Sequence, residues 1–232
     1  MPVLGKRGRK RPVAAACVAL TAAAVLLWAG CASTPPAPAA NAEGIKTVLV
    51  LPFVDMAELY GLDEGVRSPI SGQAFETGPV EEGACLYMTQ QMFTFLEEKT
   101  GFTPIPFEDA EGVLEEVMSA HNSIILSRQM VCEVGRRMGV DGVAAGHVYR
   151  FRNRVGKAFS VDTPASVAFD VHLLQVSQQK ILWSGRYDET QKALSENLFD
   201  FSKFVKRGGA WVTAEKLAAG GLDKALETFP KQ

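Results

Sequence analysis

Lys46-Thr-Val-Leu-Val-Leu-Pro-Phe-Val54 holds an unbroken run of Val and Leu between a charge and a proline. Strict alternation of apolar and polar residues would mark a strand with one wet face. An uninterrupted run instead suits a central strand covered on both faces. Pro52 has no N–H for a ladder, so the strand is expected to end near it. The rest of the chain must then supply two covering layers and the neighbouring strands.

Asp55 to Gly78 shows no periodicity and is punctuated by Gly61, Gly65, Pro69, Gly72 and Gly78. A connection this long without a pattern is either functional or mobile. Pro79 predicts a helix start, because its missing N–H does no harm there. Glu81 and Glu82 would sit favourably at the positive end of that helix. Cys85, Met88, Met92, Phe95 and Leu96 follow at helical spacing, and Lys99 with Gly101 closes the segment. The methionine stripe reads as core rather than as a binding groove. The prolines of Phe102-Thr-Pro-Ile-Pro106 confine that short extended piece to a sheet edge.

A second helix is expected from Asp109 to Ala120, with Val113, Leu114, Val117 and Met118 along one side. Ser127 caps a third, whose inner face is Met130, Val131, Val134 and Met138. Gly139 to Gly142 turns into a strand from Val143 to Arg154. Ala165 to Val176 and Ile181 to Thr190 flank Ser177-Gln-Gln-Lys180 as an antiparallel hairpin. A mixed stretch over 194–211 precedes a last helix, Thr213 to Phe229, stopped by Pro230. The expectation is an α/β (α+β) single domain: a small mixed sheet of four or five strands, an antiparallel hairpin in the C-terminal half, and about four helices.

Upstream of this domain, Lys6, Arg7, Arg9, Lys10 and Arg11 precede an apolar segment from Val13 to Leu27. Charge, then a short apolar core, then small residues is the order of a secretory signal. The segment has about 15 residues where a spanning helix needs roughly 20. Ala29-Gly30-Cys31 resembles the lipobox of bacterial lipoproteins, in which the peptide is cut before the cysteine and the thiol is acylated. Several acyl chains together anchor a soluble domain stably. The resulting organisation is a lipoprotein signal peptide at 1–30, a lipidated Cys31 with a Pro/Ala-rich tether over 31–44, and an α/β envelope domain at 45–232. Ala32 is not the aspartate that retains enteric lipoproteins at the inner membrane, so that resemblance implies the outer membrane.

The chain has a formal net charge of −2. The five basic residues above would leave with the signal and no acidic residue would, so the exported part is more acidic still. That is a poor match to a phosphate backbone, and nucleic acid is set aside as a partner. Of the cysteines, Cys17 lies in the signal. Cys85 and Cys132 either pair in the oxidising compartment or act as two buried thiols. The apolar stripe around each favours the second.

No two of His121, His147 and His172 stand at metal-ligand spacing, and Cys-x-x-Cys and His-Glu-x-x-His are absent, so neither metal nor cofactor is expected. His147 and His172 fall on separate strands that could bring them together. Asp170 lies two residues from His172 on the same side of its strand. They form either a catalytic pair or satisfied strand residues. Ser68 and Ser71 lack the context of a nucleophile elbow. Gly208-Gly209 lacks the strand that a phosphate loop needs. Glu81-Glu82, Glu97-Glu98 and Glu115-Glu116 are neighbours on helices, about 100° apart, and read as solvated charge. Arg150, Arg152 and Arg154, with Lys157 beyond, share one strand face. They offer a contact for an anionic partner or a polar face that keeps an edge soluble. Trp183 and Trp211 read as core or interface anchors.

Thr47-Val-Leu-Val-Leu-Pro-Phe53, Met138-Gly-Val-Asp-Gly-Val-Ala-Ala-Gly-His147 and Ile181-Leu-Trp-Ser-Gly185 together resemble one superfamily. It contains the curli-secretion lipoprotein CsgG, the polysaccharide-export lipoprotein PelC, the penicillin-binding-protein activator LpoB and the N-terminal domain of TolB. The resemblance implies a small α/β domain without catalytic residues that binds envelope components or forms rings. A pore is disfavoured, because residues 151–164 are too short for two membrane strands of about 9–11 residues. The expected function is a non-enzymatic, outer-membrane-anchored periplasmic lipoprotein, a binding or assembly module for an export or wall-synthesis complex. Its partners would be the membrane through its lipid, an envelope protein or polymer, and possible further copies of itself. The alternatives are a periplasmic hydrolase or transferase using His172 and Asp170, and a ring-forming subunit of a secretion assembly.

Overall fold

The computed structural model describes residue 42 and residues 44–157, 160–191 and 213–231. The signal, Cys31, most of the tether, the stretch 194–211 and Trp211 lie outside the described residues. The expected central strand is β1, Thr47–Val50. The remaining strands are β2 (Val54–Asp55), β3 (Gly65–Arg67), β4 (Ala74–Glu76), β5 (Thr103–Ile105), β6 (Gly142–Arg152), β7 (Val155–Lys157), β8 (Ser160–Thr163), β9 (Ser166–Gln175) and β10 (Lys180–Thr190). The helices are α1 (Met56–Tyr60), α2 (Ala84–Lys99), α3 (Glu111–Ala120), α4 (Arg128–Met138) and α5 (Ala214–Leu226).

One mixed sheet runs in the order β10-β9-β6-β1-β5, with β2 also paired to β6. β1 is parallel to both β5 and β6, whereas β6-β9 and β9-β10 are antiparallel. β1 is covered on both faces, as its composition requires. Val48 and Val50 pack with Met88, Met92 and Leu96 of α2 and Leu217, Leu222 and Leu226 of α5. Leu49 and Leu51 pack against Val117 of α3 and Met130, Val131 and Val134 of α4. Each such side chain contributes roughly 1.5–3 kcal/mol of burial free energy. The methionine stripe is core, β5 is the edge strand its prolines imply, and Cys85 and Cys132 are both free thiols.

Two expectations change. Pro79 does not open α2, which begins at Ala84 after a left-handed Gly83. Residues 78–81 run extended beside β6 instead: Gly78 N–H donates to the Tyr149 carbonyl, Phe151 N–H to that of Pro79, and Glu81 N–H to that of Phe151, each at 2.9 Å. A proline carbonyl accepts normally, so Pro79 suits this crossing as well as a helix start. The aperiodic stretch 55–78 is also ordered. Asp55 Oδ1 caps α1 by accepting from Ala57 and Glu58 at 2.8 and 3.0 Å. β3 and β4 pair antiparallel beyond it. Elements of two to five residues are too short to print a period on a sequence.

Asp141 joins the starts of β1 and β6. Its Oδ2 accepts from Lys46 N (2.9 Å), Thr47 N (3.0 Å) and Thr47 Oγ1 (3.1 Å). These donors, the Thr47 amide foremost, hold its carboxyl below the usual carboxylate range. The group is largely solvated, so Asp141→Ala is expected to lower unfolding free energy by only about 1 kcal/mol. The folded pKa is depressed, so this stability is present above the unfolded carboxylate value of about 4 and is lost as pH falls through the folded one. Urea titrations of the wild type and Asp141→Asn should therefore converge as pH drops below that range.

Candidate functional site

β6 and β9 pair in the register His147↔Asp170 and Ala145↔His172, which sets His147 beside the carboxylate of Asp170 on one sheet face. His147 Nδ1 lies 2.7 Å from Asp170 Oδ1, and His172 Nε2 lies 3.0 Å from Oδ2. Tyr149 Oη donates to Oδ2 at 3.0 Å. Tyr149 shares the His147 side by strand alternation, and a β-bulge between Val148 and Arg150 turns Phe151 to the opposite core. The cluster is closed to water: the side chains of Asp170 and His172 are 0% exposed and that of His147 5%.

The segment 55–78 forms the roof. Phe75 of β4 stacks on Tyr149 with centroids 3.9 Å apart, and the Arg186 guanidinium sits 4.7 Å above the other side of that ring. Ser68 places its hydroxyl 3.5 Å from His172 Nε2 and caps its own turn by accepting from Ile70 and Ser71. Arg150 pins the roof. It donates to the Glu76 carbonyl (2.7 Å), to Ser166 Oγ (2.9 Å) and to Asp188.

Burial alone would raise the Asp170 pKa, but the hydrogen bonds from His147 and His172 outweigh it and hold the carboxyl well below its usual range. The Tyr149 hydroxyl is pushed far up, first by burial and then by the Asp170 charge, and so remains a donor. With His172 Nε2–H given to Asp170, Nδ1 of that ring accepts from Ser184 Oγ at 2.7 Å. The order Ser184, His172, Asp170 reproduces the separations of a nucleophile, base and orienting carboxylate. A general base must also hand its proton to a leaving group. Because the His172 ring is wholly buried, no substrate atom reaches either of its nitrogens. That speaks against the hydrolase alternative.

The second feature is a crevice of about 480 Å³ where β1 and β5 end. The chain leaves β1 toward α2 on one face and leaves β5 toward α3 on the other. Ligands bind at such divergences in open α/β sheets. Val50, Pro52, Phe53, Leu86, Phe93 and Phe107 give it an apolar wall, with Cys85, Thr89, Gln90 and Glu108 between them. Thr89 Oγ1 is already engaged, accepting from Phe53 N at 2.9 Å and donating to the Cys85 carbonyl at 2.8 Å. Burial, with Asp55 and Glu58 nearby, pushes the Cys85 thiol up to about 12, so it is uncharged at neutral pH. The crevice suits apolar contact rather than chemistry. Leu86, at its rim, is 62% exposed.

Of the other residues singled out, His121 pairs with Glu133 on the surface at 3.0 Å. Trp183 is core and donates to Thr228 Oγ1. Arg152 and Arg154 are half-buried. The hairpin turn alone would place Trp183 opposite His172; a bulge between Ile181 and Trp183 shifts the register and brings Ser184 there instead. Sequence reasoning therefore missed Ser184, and it missed Ser68 for want of order in its loop. Tyr149 was within reach, since His147-Val-Tyr149 alternates on a strand.

A small α+β domain with a closed His–Asp–His cluster and an apolar crevice is the class of protein this fold defines. No protein-family model matches the chain, and no curated protein matches it significantly. Solved structures similar to it include a PelC dodecamer from Paraburkholderia phytofirmans, with 13% identity, 83% of this chain and 93% of that one covered, and a TM-score of 0.45. Another is the lipoprotein GNA1162 from Neisseria meningitidis, at 16% identity, 71% and 98% coverage, and a TM-score of 0.38. A third is the LpoB C-terminal domain from Escherichia coli, at 14% identity, 73% and 94% coverage, and a TM-score of 0.36. PelC and LpoB are among the proteins whose superfamily the three sequence motifs resemble.

Removing one partner from a buried charge network leaves the others unsatisfied. Asp170→Ala is expected to lower unfolding free energy by about 3–5 kcal/mol. Tyr149→Phe, which keeps the stack on Phe75, should lower it by about 1–3 kcal/mol. Urea denaturation of both variants checks this ordering.

Proposed function

We propose that this chain is a non-enzymatic lipoprotein, anchored through Cys31 to the outer membrane and facing the periplasm, where its domain serves as a binding module in an export or wall-synthesis complex. The signal-like order of residues 6–31 and the Pro/Ala-rich tether support the anchoring. Among the described residues no helix is long and apolar enough to cross a membrane.

The observation that carries the binding role is the crevice at the ends of β1 and β5 with Leu86 exposed beside it. Its occupant is an apolar side chain of an envelope protein, flanked by basic residues. The apolar wall takes the anchor, and the carboxylates of Asp55, Glu58 and Glu108 around Cys85 and the crevice complement the flanking charge. Arg152, Arg154 and Lys157 form a second contact in this reading, for an anionic envelope partner; Arg150 supports it by holding the roof.

Two measurements test the proposal. Cys31→Ser should move the protein from the membrane to the soluble fraction. A photo-crosslinking phenylalanine at position 86 should give a discrete adduct in cells, and one at exposed position 115 should not. Phe93→Glu should abolish the adduct while changing stability far less than Asp170→Ala. Membrane retention of Cys31→Ser refutes the anchor, and identical patterns at 86 and 115 refute the crevice as the contact.

A further inference from the structure

We propose that His147, Asp170 and His172 bind one divalent transition-metal ion, Zn²⁺ foremost, as a closed structural site. The inference rests on the cluster and is independent of the crevice. One ligand atom from each residue already lies within 4.8 Å of the other two. Zinc bonds of about 2.0–2.1 Å to nitrogen and about 2.0–2.2 Å to oxygen separate neighbouring ligand atoms by about 3.4 Å. The present separations of 2.7 and 3.0 Å from the carboxylate need only small side-chain rotations to reach that spacing.

Three further observations point to an ion rather than to hydrogen bonds alone. First, two imidazole nitrogens and a carboxylate converge inside the fold, the donor set of a zinc site. Second, the far nitrogen of His172 lies 2.7 Å from Ser184 Oγ, which orients the ring and, as an acceptor from Nδ1–H, would leave Nε2 free for an ion, as outer partners of metal-bound histidines do. Third, the remaining side of the cluster is polar: Tyr149 Oη lies 3.0 Å from Asp170 Oδ2, and Ser68 Oγ lies 3.5 Å from His172 Nε2. Two imidazoles and one carboxylate suit zinc or ferrous iron and not the oxygen-only preferences of calcium or magnesium. The Asp170 carboxylate places a negative charge inside the fold, which a divalent cation offsets. The lack of exposure of Asp170 and His172 gives such an ion no open face, so its role is to tie β6, β9 and the roof together.

The test uses the full-length chain stripped with chelator, then titrated separately with CoCl₂ and ZnCl₂. The expected result is one metal per chain by native mass spectrometry, visible d–d bands of tetrahedral Co²⁺, and a higher thermal midpoint with Zn²⁺. Ser184→Ala, at an exposed position, should weaken binding by about 10–100-fold. His147→Ala should weaken it further, and His121→Ala should leave it unchanged. Should His147→Ala fail to fold, the wild-type stoichiometry and Ser184→Ala decide the matter. A folded wild type that takes up neither metal, or binding that Ser184→Ala leaves intact, overturns the site and leaves a metal-free hydrogen-bonded network.

Discussion

A carboxylate buried against a sheet face constrains the rest of this molecule. Asp170 cannot remain ionised there without donors on both oxygens, and the surrounding chain is arranged to provide them. The β6–β9 register brings His147, strand alternation turns Tyr149 the same way, and the bulge in the hairpin sets Ser184 behind His172. The segment 55–78 closes over the top with Phe75 and Ser68, and Arg150 clamps its end. If the carboxylate were replaced by an apolar side chain, none of these contacts would be required.

The two features of the domain lie in different places for physical reasons. The crevice arises from topology: α2 and α3 leave the sheet on opposite faces, and the gap between their starts lies at the ends of β1 and β5. The cluster arises from pairing, at the antiparallel β6–β9 half of the sheet, where side chains of neighbouring strands stand close enough to exchange protons or share an ion. One is lined by apolar groups and one exposed leucine, the other by groups with no access to solvent. An apolar crevice and a closed polar cluster therefore coexist in the same small domain.

Much of the fold was legible because it rests on long periodic segments. The Val/Leu run of β1, the methionine stripe of α2, the Ser127 cap, the last helix and the hairpin turn each carry a local signal, and each element is found. The site was less legible. His147, Asp170 and His172 stood out as residues that could meet, but metal-ligand spacing rules apply to ligands on one helix or loop. Here Asp170 and His172 lie 23 and 25 residues beyond His147 along the chain and close to it across the sheet. Ser184 was hidden by a one-residue bulge, and Ser68 by a loop whose elements are too short to repeat.

What the amino-acid sequence determined by itself is the layering. Continuous apolar runs demand cover on both faces, and the basic, apolar and small-residue order before Cys31 is what the proposed export and lipid attachment rest on. Both depend only on near neighbours in the chain. The tertiary structure alone decided which polar groups face one another, because strand register and bulges act across the sheet. A shift of one residue moves every side chain to the other face.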